Sequence, residues 1–133
     1  MKKYYTANIE EETLQNSDYR RVLYTARYMQ LVLMNVRPGE EIGNEIHGLD
    51  QFIRVEAGKG KVILNDKDEY ELPADHALII PAGTWHNIIN EGEEELKLYT
   101  IYSTPEHKDG TVQPTKADEK EEHFDGVTTM DRG

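Results

Sequence analysis

The sequence predicts a mostly β domain, a sandwich or barrel. Short runs rich in Val, Ile, Leu and Tyr recur across residues 21–102, the residue types that suit a half-buried pleated surface. Gly, Pro, Asn and Asp break those runs at about the 8–12-residue spacing of sandwiches and barrels. No helical stripe of useful length interrupts that span. At 133 residues the chain is one domain by length, able to bury one core and not two.

The elements follow in order. Residues 9–14 hold enough of a pattern for a helical turn or two. Residues 21–25 and 29–36 read as strands, the second ended by Arg37, Pro38 and Gly39. Residues 52–56 alternate apolar and polar and stop at Gly58 and Gly60. Residues 61–64 meet a hairpin-like turn at 65–68, and 69–72 return. Residues 77–80 reach Pro81, 86–89 precede a turn at Glu91 and Gly92, and 96–102 close the series. This divides the chain into an N-terminal extension over 1–19, a barrel over 20–102 and a polar C-terminal extension over 103–133. For the last segment two readings stand open, a frayed tail and a strap packed over the barrel, with Phe124 and Val127 as the anchors the strap would use.

Composition excludes several classes. With 26 acidic against 15 basic side chains, the net charge of −11 repels phosphate backbones and anionic bilayers, so neither nucleic acid nor membrane is expected as a partner. No apolar run approaches the roughly 20 residues of a membrane helix. Met1, Lys2 and Lys3 lead into Tyr4 and Tyr5 without the apolar stretch of a signal peptide. Cysteine is absent, which removes disulfides and thiolate chemistry and is compatible with a cytoplasmic setting. The acidic clusters at 91–95 and 118–122 read as solvated faces.

Spacing alone singles out a few side chains. Glu45 and His47 are two apart and share a face if extended. Gln51 lies beyond a bend at 48–50 and can return to the same cavity. His86 follows Pro81 and Gly83, a turn that can aim one side chain inward. Two imidazoles, a carboxylate and an amide oxygen form an N,O set that suits Fe, Mn, Ni or Zn, and spacing does not choose among them. The plain alternative is a metal-free buried pair of Glu45 with Arg54, with ordinary core histidines beside it.

Two stretches carry a resemblance. In the first, Gly39, Glu45, His47, Gln51 and Gly58 stand at the positions of Gly, His, His, Glu and Gly in the first signature motif of the cupin superfamily. In the second, Pro81, Gly83, His86 and Asn90 fit the second motif, with Asp75 replacing its first glycine. The chain resembles small single-domain bacterial and archaeal cupins, some labelled mannose-6-phosphate-isomerase-like. Glu45 and Gln51 then replace the usual histidine and glutamate. The resemblance implies a double-stranded β-helix, the jelly-roll or RmlC-like cupin barrel, with a divalent metal held by Glu45, His47, Gln51 and His86. Related small cupins are commonly dimers, and residues 20–36 carry Val22, Leu23, Tyr24, Leu31, Leu33 and Met34, more apolar surface than a short barrel edge needs, so a homodimer joined partly through the N-terminal strands is expected.

Two functions are carried forward, with a seed-storage-like structural role disfavoured. One is a metal-dependent enzyme on a small polar metabolite, such as a sugar isomerase or epimerase, with Glu45 or a metal-bound hydroxide moving protons and His107 as a further candidate acid or base. With Fe(II) the same site would suit a dioxygenase. The other is a non-catalytic small-molecule-binding barrel. Arg27, Arg37, Arg54, Lys59 and Lys61 are the candidates for a phosphate clamp, scattered without a motif. Asp50 is expected to steady an imidazole or the bend backbone, and Trp85 to plug the barrel rim.

Overall fold

The computed structural model describes residues 3–133; Met1 and Lys2, the start of the segment read as no leader, lie outside the described residues. A short helix α1 (Ile9–Gln15) begins at Asn8, whose side chain accepts from the Glu11 amide and satisfies one open donor of the first turn. Nine strands follow: β1 (Arg20–Thr25), β2 (Gln30–Val36), β3 (Asp50–Ala57), β4 (Lys59–Leu64), β5 (Asp68–Pro73), β6 (Ala77–Ile80), β7 (His86–Asn90), β8 (Leu96–Ser103) and β9 (Val112–Gln113). A 3-10 turn at Lys116–Asp118 and a last helix α2 (Thr129–Arg132) complete the chain.

The strands form two antiparallel sheets of a jelly roll. One has the order β6-β3-β8-β2-β1-β9 and the other β5-β4-β7. Strict alternation sets which side chains face inward. On β8, Leu98, Thr100 and Tyr102 are buried and Tyr99 and Ile101 are half-buried outward. On β3, Ile53 and Val55 join the core. The core also takes Val32, Met34 and Val36 from β2, Val62 from β4, Ile80 from β6 and Ile88 from β7. Each such side chain contributes about 1.5–3 kcal/mol by leaving water. The apolar excess expected on residues 20–36 is largely absorbed within the chain. Val22 and Met34 point into the barrel, and Leu33 lies under the helix side with Glu12 and Gln15 as neighbours.

Two turns show why particular residues are needed. Between β4 and β5, Asn65 and Asp66 both take positive φ, 52° and 57°, as a tight hairpin demands and as Asn and Asp tolerate. Between β3 and β4, Gly58 sits at φ +86°, and a Cβ there would lie 2.5 Å from the Glu95 carbonyl oxygen. The terminal glycine of the first motif is therefore a packing requirement where β4 meets the start of β8.

The segment 103–133 touches the barrel repeatedly. β9 pairs with β1, placing Gln113 opposite Arg20. Thr129 Oγ1 accepts from the Thr25 amide and donates to Asp109, which also pairs with Arg132 at 2.6 Å. The residues that tie it down are polar and buried, Asp109, Gln113 and Thr128. The expected anchors differ: Phe124 is only half-buried and Val127 is exposed. A run with few apolar residues is held here by buried hydrogen bonds instead of apolar burial.

Candidate functional site

The two motifs are stitched together by backbone. Glu45 and His86 form an antiparallel bridge with both N–H···O distances at 2.8 Å, and the Gly83 amide donates to the His47 carbonyl at 2.8 Å. Asp50 Oδ1 accepts from the Ala82 amide at 2.9 Å, so its role is with the backbone at the bend. Asn90 donates to the Val36 and Glu94 carbonyls and accepts from Gly92, which makes the motif asparagine a turn clamp.

This framework brings Glu45 and His47 together, with Oε2 and Nε2 3.6 Å apart. The His47 and His86 rings lie 5.1 Å apart between centroids. His86 Nδ1 stands 2.9 Å from the Thr84 carbonyl, which can only accept, so Nδ1 carries the proton and Nε2 presents its lone pair. Burial lowers the pKa of His86 and takes that of His47 down to about 4, with His86 and Arg20 adding to the effect on His47. Both imidazoles are neutral at pH 7 and able to bind a cation. Burial pushes Glu45 up to about 7, opposed by the nearby Arg20 charge.

Gln51 is 6% exposed on β3. Its Nε2 donates to Thr100 Oγ1 at 3.0 Å, while Oε1 is buried with no hydrogen-bond partner. Among the described residues, no three His, Cys, Asp or Glu side chains already stand around a common metal point. The donor chemistry nevertheless fits a divalent ion. The orphaned amide oxygen lacks a partner, the two imidazoles are neutral, and 3.6 Å between Oε2 and Nε2 lies within the roughly 4.2 Å that two donors at about 2.1 Å from one ion can span.

A cavity of about 260 Å³ is lined by Glu45, but not by His47, Gln51 or His86, together with Arg20, Glu106, His107, Glu119 and His123. His107 is thus at the cavity, with Nε2 3.3 Å from the Tyr102 hydroxyl and its pKa lowered to about 2 by burial. A wider groove of about 680 Å³ runs along 108–122 and Arg132 and includes none of Glu45, His47, Gln51 or His86. Size alone would point to that groove, but the convergent polar groups favour the smaller cavity.

Several expectations are corrected. Arg54 pairs with Glu56 at 2.9 Å and Asp75 at 3.2 Å, so no Glu45–Arg54 pair forms. Lys59 and Lys61 are engaged with Glu71, Glu69 and Glu91. Glu119, read as part of a solvated cluster, is hydrogen-bonded to Arg20, Lys116 and Tyr19. Burial would raise its pKa, but the Lys116 bond and the charges of Arg20 and Lys116 bring it below the usual value. Trp85, expected to plug the barrel rim, is exposed.

Sequence reasoning missed Arg20, which is 3% exposed and hydrogen-bonded through Nη1 to Gln113 and Glu119. One signal existed: adjacent Arg20 and Arg21 in a strand oblige one of them to face inward. Glu106 was also missed, and nothing in the polar run around it marks it in advance.

Comparison with known proteins came to the same architecture. The cupin domain profile matches residues 32–102. YrkC of Bacillus subtilis, an uncharacterised protein, is 44% identical over 87% of this chain and 66% of its own length. Uncharacterised protein L612 of Acanthamoeba polyphaga mimivirus is 46% identical over 81% of this chain and 70% of its own. Polyketide synthase CurC of Streptomyces cyaneus is 33% identical over 68% of this chain and 61% of its own. The chain therefore spans about two thirds of the length of these curated relatives. The crystal structure of BH2720 from Bacillus halodurans superimposes with a TM-score of 0.83 at 48% identity, over 86% of this chain and 91% of that one. KdgF from Halomonas sp. shares the fold alone, with a TM-score of 0.58 at 19% identity over 68% of this chain and 79% of that one.

Proposed function

We propose that this chain, which belongs to the cupin family, is a metal-dependent enzyme acting on a small polar metabolite, with Glu45, His47, Gln51 and His86 holding one divalent ion. The observation that carries this reading is the buried Gln51 Oε1 without a partner. Such an unmet acceptor costs about 1–3 kcal/mol, which a cation would relieve. The set suits Fe, Mn, Ni or Zn. The ion would supply a Lewis acid that polarises a substrate carbonyl. Around it, the chain's own groups position the substrate and move its proton. Glu45, whose pKa burial pushes up to about 7, is the first candidate to take a proton and return it. His107, at the cavity wall against Tyr102, is a weaker base, its pKa lowered to about 2 by burial, and is the second candidate. The chemistry is that of isomerisation or epimerisation of a sugar-like substrate. The enzyme name of the relative CurC supports a catalytic barrel over a purely structural one. Elemental analysis of protein purified without an affinity tag is expected to find a divalent metal at one per chain; protein free of all of them sinks the reading.

Gln51 gives a sharper prediction. Q51E keeps the oxygen donor and adds a charge, so it is expected to bind the ion at least as tightly as wild type, while Q51A weakens it. The Thr100 hydroxyl, now a partner of Nε2, can turn to donate to the new carboxylate. Titration calorimetry with zinc or manganese decides; loss of binding in Q51E with retention in Q51A would remove Gln51 from the ligand set.

A homodimer belongs to the same proposal. Ile79, 70% exposed, stands opposite Phe52, which stands opposite Ile101, which stands opposite Leu31, an apolar row across β6, β3, β8 and β2 on the outer sheet face. A second copy of the chain would cover it. Light scattering at micromolar concentration is expected to give twice the chain mass, and I79E to shift it to the monomer. A monomeric mass for wild type would end the idea.

A further inference from the structure

His47 is placed between two carboxylates. Nε2 faces Glu45 Oε2 at 3.6 Å, and Nδ1 faces Glu106 Oε2 at 3.5 Å. Both separations are too long for formed hydrogen bonds, and among the described residues the ring has no other hydrogen-bond partner. The two carboxylates differ in how they are held. Glu45 is part of the bridge to His86. Glu106 comes from the C-terminal segment and is fixed three ways. Its amide and that of His107 donate to Gln30 Oε1 at 3.3 and 3.0 Å, and Gln30 Nε2 donates to the His107 carbonyl at 2.7 Å. Gln30 is wholly buried, so this clamp is part of the barrel. The Glu106 carbonyl accepts from the Phe124 amide at 3.0 Å, and His107 bridges His123. The carboxylate itself is oriented by His123, whose Nδ1 lies 3.1 Å from Oε1, leaving Oε2 aimed at His47.

We infer that Glu106 is a positioning residue that fixes the His47 imidazole with its proton on Nδ1, leaving the Nε2 lone pair for the ion beside Glu45. The inference rests on the proposed metal reading for its purpose but not for its geometry. A histidine donor needs its second nitrogen tied to an acceptor to hold both tautomer and ring angle, and a carboxylate does this best. His86 already has such an acceptor in the Thr84 carbonyl. His47 has none on its own side of the barrel, and the C-terminal strap supplies it. The same contact makes the strap part of the site, so that residues 105–124 complete the environment of a side chain on the loop before β3.

The test uses the full chain with E106L, which removes the acceptor, E106Q, which weakens it while keeping its shape, and H123A, which keeps the carboxylate but removes the imidazole that orients it. In metal-free protein at neutral pH, nitrogen NMR of His47 is expected to report the proton on Nδ1 in wild type, a mixture in E106Q and a shift to Nε2 in E106L. Zinc affinity is expected to fall about 10–100-fold in E106L, about tenfold or less in E106Q, and less than in E106L for H123A, which frees the carboxylate without removing it. An unchanged His47 tautomer in E106L, or a zinc affinity within threefold of wild type there, overturns the role of Glu106. The tautomer measurement needs no metal. Wild-type protein that takes up no zinc or other divalent ion would therefore overturn the metal reading, while the tautomer shift would still decide whether Glu106 positions His47.

Discussion

Replacing His47 and His86 together by alanine is expected to abolish stoichiometric metal, the largest functional change available in this chain. Both rings are neutral, with lowered pKa values caused first by burial, and removing both takes away the two nitrogen donors of the set. Bound metal stabilises the native state by linkage, about 2.7 kcal/mol at a free concentration one hundred times the dissociation constant. The wild-type melting temperature should thus rise with added metal, and that of the double variant should not respond. Part of the stability loss in the variant would come from cavities left by two buried rings, so metal content by mass spectrometry is the deciding measurement. Unchanged content in the double variant would remove both histidines from the site.

The second large effect is structural. G58A is expected to destabilise the metal-free protein by about 3 kcal/mol or more, against about 1–2 kcal/mol for G83A. The two glycines share a left-handed backbone, φ +86° and +82°. That conformation alone accounts for about 1–2 kcal/mol with any other residue. Only Gly58 adds a collision, since its Cβ would meet the Glu95 carbonyl oxygen at 2.5 Å and Leu96 Cα at 2.9 Å, while nothing lies within 4 Å at Gly83. Those neighbours are backbone and cannot rotate away, so strand β4 or the start of β8 must shift. Urea unfolding of the two variants compares them directly; equal losses would mean that the backbone gives way at Gly58.

The comparison of these glycines shows what kinds of information a motif carries. Gly58 and Asn90 read in sequence as family markers. In the structure one is a close approach and the other a turn clamp. Neither touches a ligand position. Glu45, His47, Gln51 and His86 stood out as candidates because strand alternation and turn chemistry act over two to five residues, and the burial of Gln51 and His86 agrees with that local rule.

What lies across the barrel was not. Sequence order does not show that Gln30 grips residues 106 and 107, that Arg20 meets Gln113 and Glu119, or that Glu106 approaches His47. Those partners are from 59 residues apart, His47 to Glu106, to 99 residues apart, Arg20 to Glu119, and no local periodicity encodes such pairings. The acidic tail illustrates the difference. A charge run is solvated unless something buried needs it, and Glu119 is drawn in because Arg20, placed inside by strand alternation, carries a charge that cannot be buried alone. The sequence by itself determined the strands and the turns, since each is fixed by neighbours a few residues away. Only the tertiary structure decided that the C-terminal segment lies against the barrel and brings Glu106, His107 and Glu119 to its cavity, because that depends on buried polar groups finding partners at long range.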